Sequence, residues 1–184
     1  MRKPDSRPLT VTRPELLTDG ADSDYRVFVH AFIVFARRFE SVRAHSAGLI
    51  GVTPPQYEML SHLREAMSAG GLTISQIAQR LHCSGPFVTT EAGKLHRAGL
   101  VLRTRDPRDA RCVRLTLTPA CEKRFRDIAL LQQEINNTLF SSLTSRQFRM
   151  LREVFPKLAD NSDGAIAQAE VQRLKIAQMK RHAA

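Results

Sequence analysis

Between Thr73 and Leu117 the spacing of apolar positions changes character. Ile74, Ile77, Ala78 and Leu81 recur at intervals of three and four, and Val88, Ala92 and Leu95 do so again a few residues later. Both patterns predict short amphipathic helices. Val113, Leu115 and Leu117 instead alternate with Arg114 and Thr116, which predicts a half-buried strand. Arg103 and Arg105 lie two apart and so share one face of a preceding strand, with Asp106-Pro107-Arg108-Asp109 turning between the two. Two short helices followed by a hairpin is the order of a winged helix-turn-helix.

Local start and stop signals agree with this periodicity. Thr73 and Gln76 form a capping box, and Leu72 with Ile77 a hydrophobic staple. Ser84 is an N-cap ahead of Pro86 in a first turn, and Gly99 stops that second helix. Thr53 with Gln56, and Thr144 with Gln147, repeat the capping box elsewhere. They open a helix running to about Met67, where Ser68-Ala69-Gly70-Gly71 ends it, and another bearing Leu151, Val154, Phe155 and Leu158, which Pro156 should kink or shorten.

Further out, Phe28, Phe32, Phe35 and Phe39 put an aromatic stripe on a helix over residues 25–44. One long helix is expected from Pro119 to about Leu139, with Phe125, Ile128, Leu131, Ile135 and Leu139 along one side. Asp160-Asn161-Ser162-Asp163-Gly164 should break the chain, and a further helix over 165–180 would align Ala167, Val171 and Leu174. The first 22 residues, with three prolines and little apolar periodicity, read as a flexible arm.

The expected fold is mainly α with a small β-hairpin wing. It has an arm over 1–22, a domain over 23–160 and a C-terminal helical extension over 161–184. Within the domain, a winged helix-turn-helix over about 53–118 is flanked by dimerisation helices over about 24–45 and 119–159. The apolar faces of those flanking helices exceed what one subunit can cover, and a homodimer is the economical arrangement.

Charge narrows the function. The 184 residues carry 28 Lys and Arg against 18 Asp and Glu, a formal net charge of +10. A polyanion is the expected partner. A membrane is disfavoured, because the most apolar run, 25–35, is interrupted by Arg26 and His30 and is far shorter than the roughly 20 residues a span needs. Arg2, Lys3 and Arg7 have no apolar core behind them, so a signal peptide is not expected, and the location should be cytoplasmic. Hydrophobic content, 42%, is ordinary for a globular chain.

The charge coincides with the faces that double-stranded DNA would need. Gly85, Pro86, Thr89, Thr90 and Lys94 lie along the outer face of the second helix, suited to a major groove. Thr hydroxyls are expected to read bases permissively, and Lys94 to take a phosphate. Five arginines, 103, 105, 108, 111 and 114, lie on or beside the hairpin. Arg108 and Arg111 are assigned to the narrow minor groove, with Asp109 orienting Arg111. The alternative is a winged helix used only for protein docking, its arginines merely solvated.

Cys83, Cys112 and Cys121 are odd in number and lack ligand spacing, which disfavours a disulfide scaffold or a metal site. Cys121, in the first turn of a helix opening at Thr118-Pro119, would feel a dipole that favours thiolate, so redox sensing through Cys121 or Cys112 stays open beside the plain reading of a small buried side chain. No cofactor is expected. An enzyme is set aside for want of a nucleophile-base pairing, a Gly-rich phosphate loop or metal-ligand spacing.

The runs Leu72-Thr73-Ile74-Ser75-Gln76-Ile77-Ala78 and Lys94-Leu95-His96-Arg97-Ala98-Gly99-Leu100-Val101, with Asp106-Pro107-Arg108-Asp109-Ala110-Arg111 ahead of Leu117-Thr118, resemble the MarR family of dimeric winged helix-turn-helix transcriptional regulators. The Asp109-x-Arg111 pair is the most specific mark. The resemblance spans roughly residues 25 to 160. It implies that the first helix packs with the last helices of both subunits, and that a small anion binds in a crevice between these helices and the winged helix. A repressor released from a pseudopalindromic operator is the corresponding expectation, with a winged-helix DNA-binding protein that takes no small-molecule effector as an alternative. The effector would be an aromatic carboxylate, a phenolic anion or an aryl-CoA thioester, with Arg37, Arg38, His45 and Tyr57 offering cationic and aromatic groups. Arg37, Arg38, Arg43 and His45 together make a cluster near a helix end that could neutralise an anion but also fits solvated cations, and Tyr57 fits plain core packing. Two departures are visible: the family often has arginine where this chain has Thr90, and its peroxide sensors carry a cysteine near the start of the first helix, where this chain has none.

Overall fold

The N-cap signals set where most helices of the computed structural model begin. It describes residues 7–106, 109 and 111–182. The aromatic stripe lies on α1 (Ser23–Leu49), longer at its C-terminal end than its periodicity suggests. Helix α2 (Pro54–Glu65) starts at Thr53, whose backbone N–H donates to Gln56 Oε1 at 3.1 Å. Next come strand β1 (Leu72–Thr73) and helix α3 (Ile74–Arg80). Thr73 and Gln76 close the expected capping box around the start of α3, at 2.9 and 3.3 Å. Helix α4 (Gly85–Arg97) starts at Ser84, whose hydroxyl accepts from Phe87 N–H, and is followed by Gly99 at φ +70°.

Strands β2 (Val101–Arg105) and β3 (Val113–Leu117) form the expected hairpin, and β3 also pairs with β1, so the antiparallel sheet runs β1-β3-β2. The two-residue β1 was not foreseen. It is too short to carry an alternation, and its pairing of Leu72 with Leu115 is a tertiary event.

One core serves this unit. Met59, Leu60 and Leu63 of α2, Ile77 of α3, Val88, Ala92 and Leu95 of α4, and Leu115 of β3 are all buried within it. Phe125 and Cys121 enter from α5 (Pro119–Asp127). The single expected helix over 119–139 is instead interrupted at Ile128, after which α6 (Ala129–Leu139) resumes. Gln132 N–H still donates to Ile128 carbonyl at 2.9 Å, so the interruption costs little backbone bonding.

The chain divides into two compact units, one ending at Gln132 and the other beginning at Gln133. The second contains α7 (Ser145–His182), opened by the Thr144 and Gln147 pairing at 2.9 and 3.3 Å. The expected break at 160–164 is absent. One helix passes through Pro156 and through Gly164, which has no positive φ. Every residue from 152 to 181 is exposed, so solvent can accept the backbone groups that Pro156 releases, and the alanines from Ala165 onward restore helix preference.

Of the segment read as a flexible arm, the described part is tethered. Asp22 Oδ2 accepts from both Thr10 N–H and its hydroxyl, at 2.7 and 2.6 Å, while Arg26 Nη2 donates to the Pro8 carbonyl at 2.7 Å. The Thr10 donors, and then Arg26 through its Nε, which donates to Asp22 Oδ1 at 3.0 Å, hold the Asp22 carboxyl well below the usual carboxylate range.

Gly71 is where the sheet meets the end of α2. At φ +88°, a Cβ built there would lie 2.1 Å from the Leu115 carbonyl oxygen. That contact is with backbone and cannot yield. Gly71→Ala is expected to lower unfolding free energy by about 2–4 kcal/mol in urea titration. An unchanged midpoint would show that the β1–β3 seam is not tightly fixed.

Candidate nucleic-acid interface

Recognition helices need one face anchored and one face bare. On α4, Val88, Glu91, Ala92 and Leu95 face the core, while Pro86, Thr89, Thr90 and Lys94 are exposed and Gly85 is partly covered. Glu91 is the unexpected member of the inward set. Its carboxylate accepts from Gln56 Nε2 at 2.9 Å and from Lys94 Nζ at 2.7 Å. Lys94 and then Gln56 hold the Glu91 carboxyl below its ordinary range, against the opposing effect of burial. The link therefore persists through neutral pH and is lost only as acid protonates that lowered carboxyl.

The threonines differ from expectation. Thr89 Oγ1 donates to the Gly85 carbonyl and Thr90 Oγ1 to the Pro86 carbonyl, each at 3.0 Å. Their hydroxyl protons are thus bound to the helix itself rather than held out for bases. Phe87, absent from the sequence-derived set, is 40% exposed on the same helix. The helical period does place it off the buried face, but an aromatic residue there reads from sequence as core.

The wing sorts its arginines. Arg114 is a brace: its Nε donates to Asp106 Oδ2 and its Nη1 to the Gly71 carbonyl, both at 2.8 Å, with Asp106 buried. It drops out of the set available to a ligand. Arg103, Arg105 and Arg111 are exposed. Arg108 lies outside the described residues, with Pro107 and Ala110. Asp109 acts on Arg111 through the backbone, its Oδ1 accepting from Arg111 N–H at 3.0 Å. Its own carbonyl accepts from Cys112 N–H at 2.9 Å. This is an Asx-type turn that fixes the chain carrying the Arg111 side chain.

Among the residues expected at a small-molecule site, the structure does not gather Arg37, Arg38 and His45 around Tyr57. Arg37 and Arg38 are exposed on α1, and His45 is exposed with Nδ1 donating to the Ser41 carbonyl at 2.7 Å. Helix phase explains this: the residue that reaches Tyr57 is Arg43, whose guanidinium stands 5.3 Å from the Tyr57 ring centroid and 5.9 Å from that of Phe39. Tyr57 is buried as core packing requires, yet its hydroxyl accepts from Gln132 Nε2. It also lines a cavity of about 330 Å³ with Ser61, Arg64, Glu65, Phe125 and Gln132. Arg64 stacks 4.9 Å above the Phe125 ring. Arg43, Arg64 and Gln132 were not legible as a set, because three separate helices bring them in.

The surroundings of Cys121 work against a reactive thiol at that position. It does lie in the first turn of α5, but it is fully buried, and that burial, with Glu122 beside it, pushes its thiol up to about 11. Loss of solvation outweighs the helix-end dipole. The Cys112 thiol is also raised, chiefly by its hydrogen bond to Asp109.

Residues 52–113 match the model of the MarR family. The chain is 29% identical over 113 residues to the HTH-type transcriptional repressor MdtR of Bacillus subtilis (strain 168), covering 61% of this chain and 71% of that one. Over 93 residues it is 34% identical to the HTH-type transcriptional regulator YkoM of the same organism, covering 49% and 58%. In fold it is similar to S. aureus MepR in its DNA-binding conformation, with TM-score 0.64, 22% identity, and coverage of 73% of this chain and 97% of that one. The S. aureus MepR-DNA complex matches at TM-score 0.61 and 22% identity, covering 73% and 95%.

Thiol chemistry offers a direct check. With the Cys121 thiol at about 11, only about one molecule in a thousand carries thiolate near pH 8. Iodoacetamide at that pH is expected to leave Cys121 unlabelled in the native protein and to label it in denaturant. Comparable labelling in both would contradict the burial.

Proposed function

Because this chain is a DNA-binding transcriptional regulator of the MarR family, we propose that two copies of it grip a pseudopalindromic operator as a repressor and release it when a small aromatic or phenolic anion binds. The observation that carries the DNA half is the division of labour within one unit. Helix α4 is anchored by its buried face and bare on the other, and the adjoining wing keeps Arg103, Arg105 and Arg111 exposed. Pro86, Thr89, Thr90 and Lys94 lie along the major groove, with Gly85 at the helix start where the backbone can approach closely. Arg111, set by the Asp109 turn, enters the minor groove.

Two copies follow from surface that one copy leaves in water. Val27 and Phe28 of α1 are 69% and 58% exposed, and Leu130 of α6 is 76% exposed. In the second unit Phe148, Ile166, Leu174 and Met179 are likewise exposed. A second subunit that covers such faces sets two recognition helices about one turn of DNA apart.

For the effector, the cavity beside Tyr57 and Phe125 supplies two aromatic rings and the Arg64 guanidinium, which suits an aromatic carboxylate, a phenolate or the aryl end of a CoA thioester. It lies between α2 and α5, so its filling bears on the unit that carries α4. Such a ligand weakens DNA binding only if it favours the spacing that does not fit the operator.

Arg111→Ala is expected to weaken operator binding by about 1–3 kcal/mol and to reduce the salt slope by about one. A variant with wild-type affinity and slope would remove the wing from the interface. Thermal unfolding against a panel of aromatic acids and their CoA esters tests the effector: one compound should raise the midpoint with concentration and release the operator. Stabilisation by none would contradict the ligand-responsive reading.

A further inference from the structure

The leading turn of α4 presents an unusual surface for a helix that reads DNA. Phe87, the third residue of α4, is 40% exposed, and Pro86 beside it is exposed too. Because Val88, Glu91, Ala92 and Leu95 occupy the buried face, Pro86, Phe87 and Thr90 fall together on the outer side. Thr89 and Thr90 commit their hydroxyl protons to the Gly85 and Pro86 carbonyls, each at 3.0 Å, and a hydroxyl turned to the helix backbone leaves the γ-methyl as the outward group. The nearest cation on the helix, Lys94, is held 2.7 Å from Glu91. A ring, a pyrrolidine and methyl groups thus stand where polar side chains usually donate to base edges.

In the major groove the C5-methyl of thymine is the apolar group that a base pair displays, and Phe, Thr methyl and similar groups contact it. The leading residues of a recognition helix are the ones that reach base edges. We propose that Phe87, with Pro86 and the Thr90 methyl, reads thymine methyl groups, so that this chain selects its operator largely by apolar contact at T positions. This rests on the DNA-binding reading above and adds the base chemistry that the sequence-derived residues left open.

The test uses the full chain and a duplex selected from a random-sequence pool. The selected site is then resynthesised with deoxyuridine for every thymidine, which deletes the methyl groups and keeps each hydrogen-bonding edge. The wild type is expected to bind the uracil duplex about tenfold more weakly. Phe87→Ala should bind the thymine duplex more weakly and shrink the thymine-to-uracil difference to under about twofold, while Phe87→Leu, which keeps an apolar side chain, should retain part of it. Equal wild-type affinity for the two duplexes would overturn the proposal and leave the DNA-binding reading intact. So would a Phe87→Ala variant that weakens both duplexes equally. No preference for the selected duplex over random DNA would instead sink the reading on which the proposal rests.

Discussion

A single buried amide-carboxylate contact, Gln56 Nε2 to Glu91 at 2.9 Å, couples the start of α2 to the middle of α4. The same Gln56 side chain accepts at its other end from Thr53 N–H, so one amide caps α2 and holds α4 at once. A carboxylate at that depth would be costly alone. Here the Lys94 ammonium and the Gln56 amide compensate it, and Lys94 remains on the outward side of α4. Breaking either partner strands the other, which makes the link specific rather than merely adhesive. Apolar contacts from Val88, Ala92 and Leu95 hold α4 to the core, but they tolerate sliding. A directional hydrogen bond does not, and it fixes which residues of α4 face out.

The wing is held by a similar device. Arg114 bridges Asp106 at the end of β2 and the Gly71 carbonyl ahead of β1, spending one of the hairpin's cations to fix its direction. Asp109 then sets the turn that carries Arg111. Two acidic residues on a strongly basic chain therefore act as fasteners, leaving exposed arginines for an anionic partner. The pairing with β1 extends this rigidity to the end of α2, because Gly71 lets β1 and β3 approach more closely than any side chain would allow. The aromatic cavity runs along α2 from Tyr57, the neighbour of the capping Gln56, to Arg64 and Glu65. One helix thus connects this cavity with the anchor of α4.

Much of this was legible in the sequence because it is local. The Thr73 capping box, the Ser84 cap, the Gly99 stop and the alternation of Val113, Leu115 and Leu117 each depend on residues within a few positions, and each recurs in the structure. The unforeseen features are long-range or depend on burial. Glu91 reads as a surface charge until Gln56, 35 residues away, meets it. Arg43, rather than Arg37 or Arg38, reaches Tyr57 because of helix phase over a long helix. The position of Cys121 at a helix start was correct, but the sequence could not weigh its burial against the dipole. Gly164 and Pro156 signal a break, yet α7 runs through both, exposed to solvent that can take the backbone carbonyl Pro156 leaves unpaired. Arg114 resembled its neighbours on the hairpin, and only the fold distinguishes a brace from a free arginine.

On the proposed function, a preset orientation of α4, fastened through Glu91, lets the chain choose among DNA sequences. The most direct measurement is the ratio of affinities for a selected duplex and for random duplex at fixed salt, compared between wild type and Glu91→Leu. With α4 no longer fastened, the ratio is expected to fall by about tenfold or more while non-specific binding, set by phosphate contacts, holds or rises as Lys94 is released from Glu91. A folded Glu91→Leu variant that keeps the wild-type ratio would contradict the account.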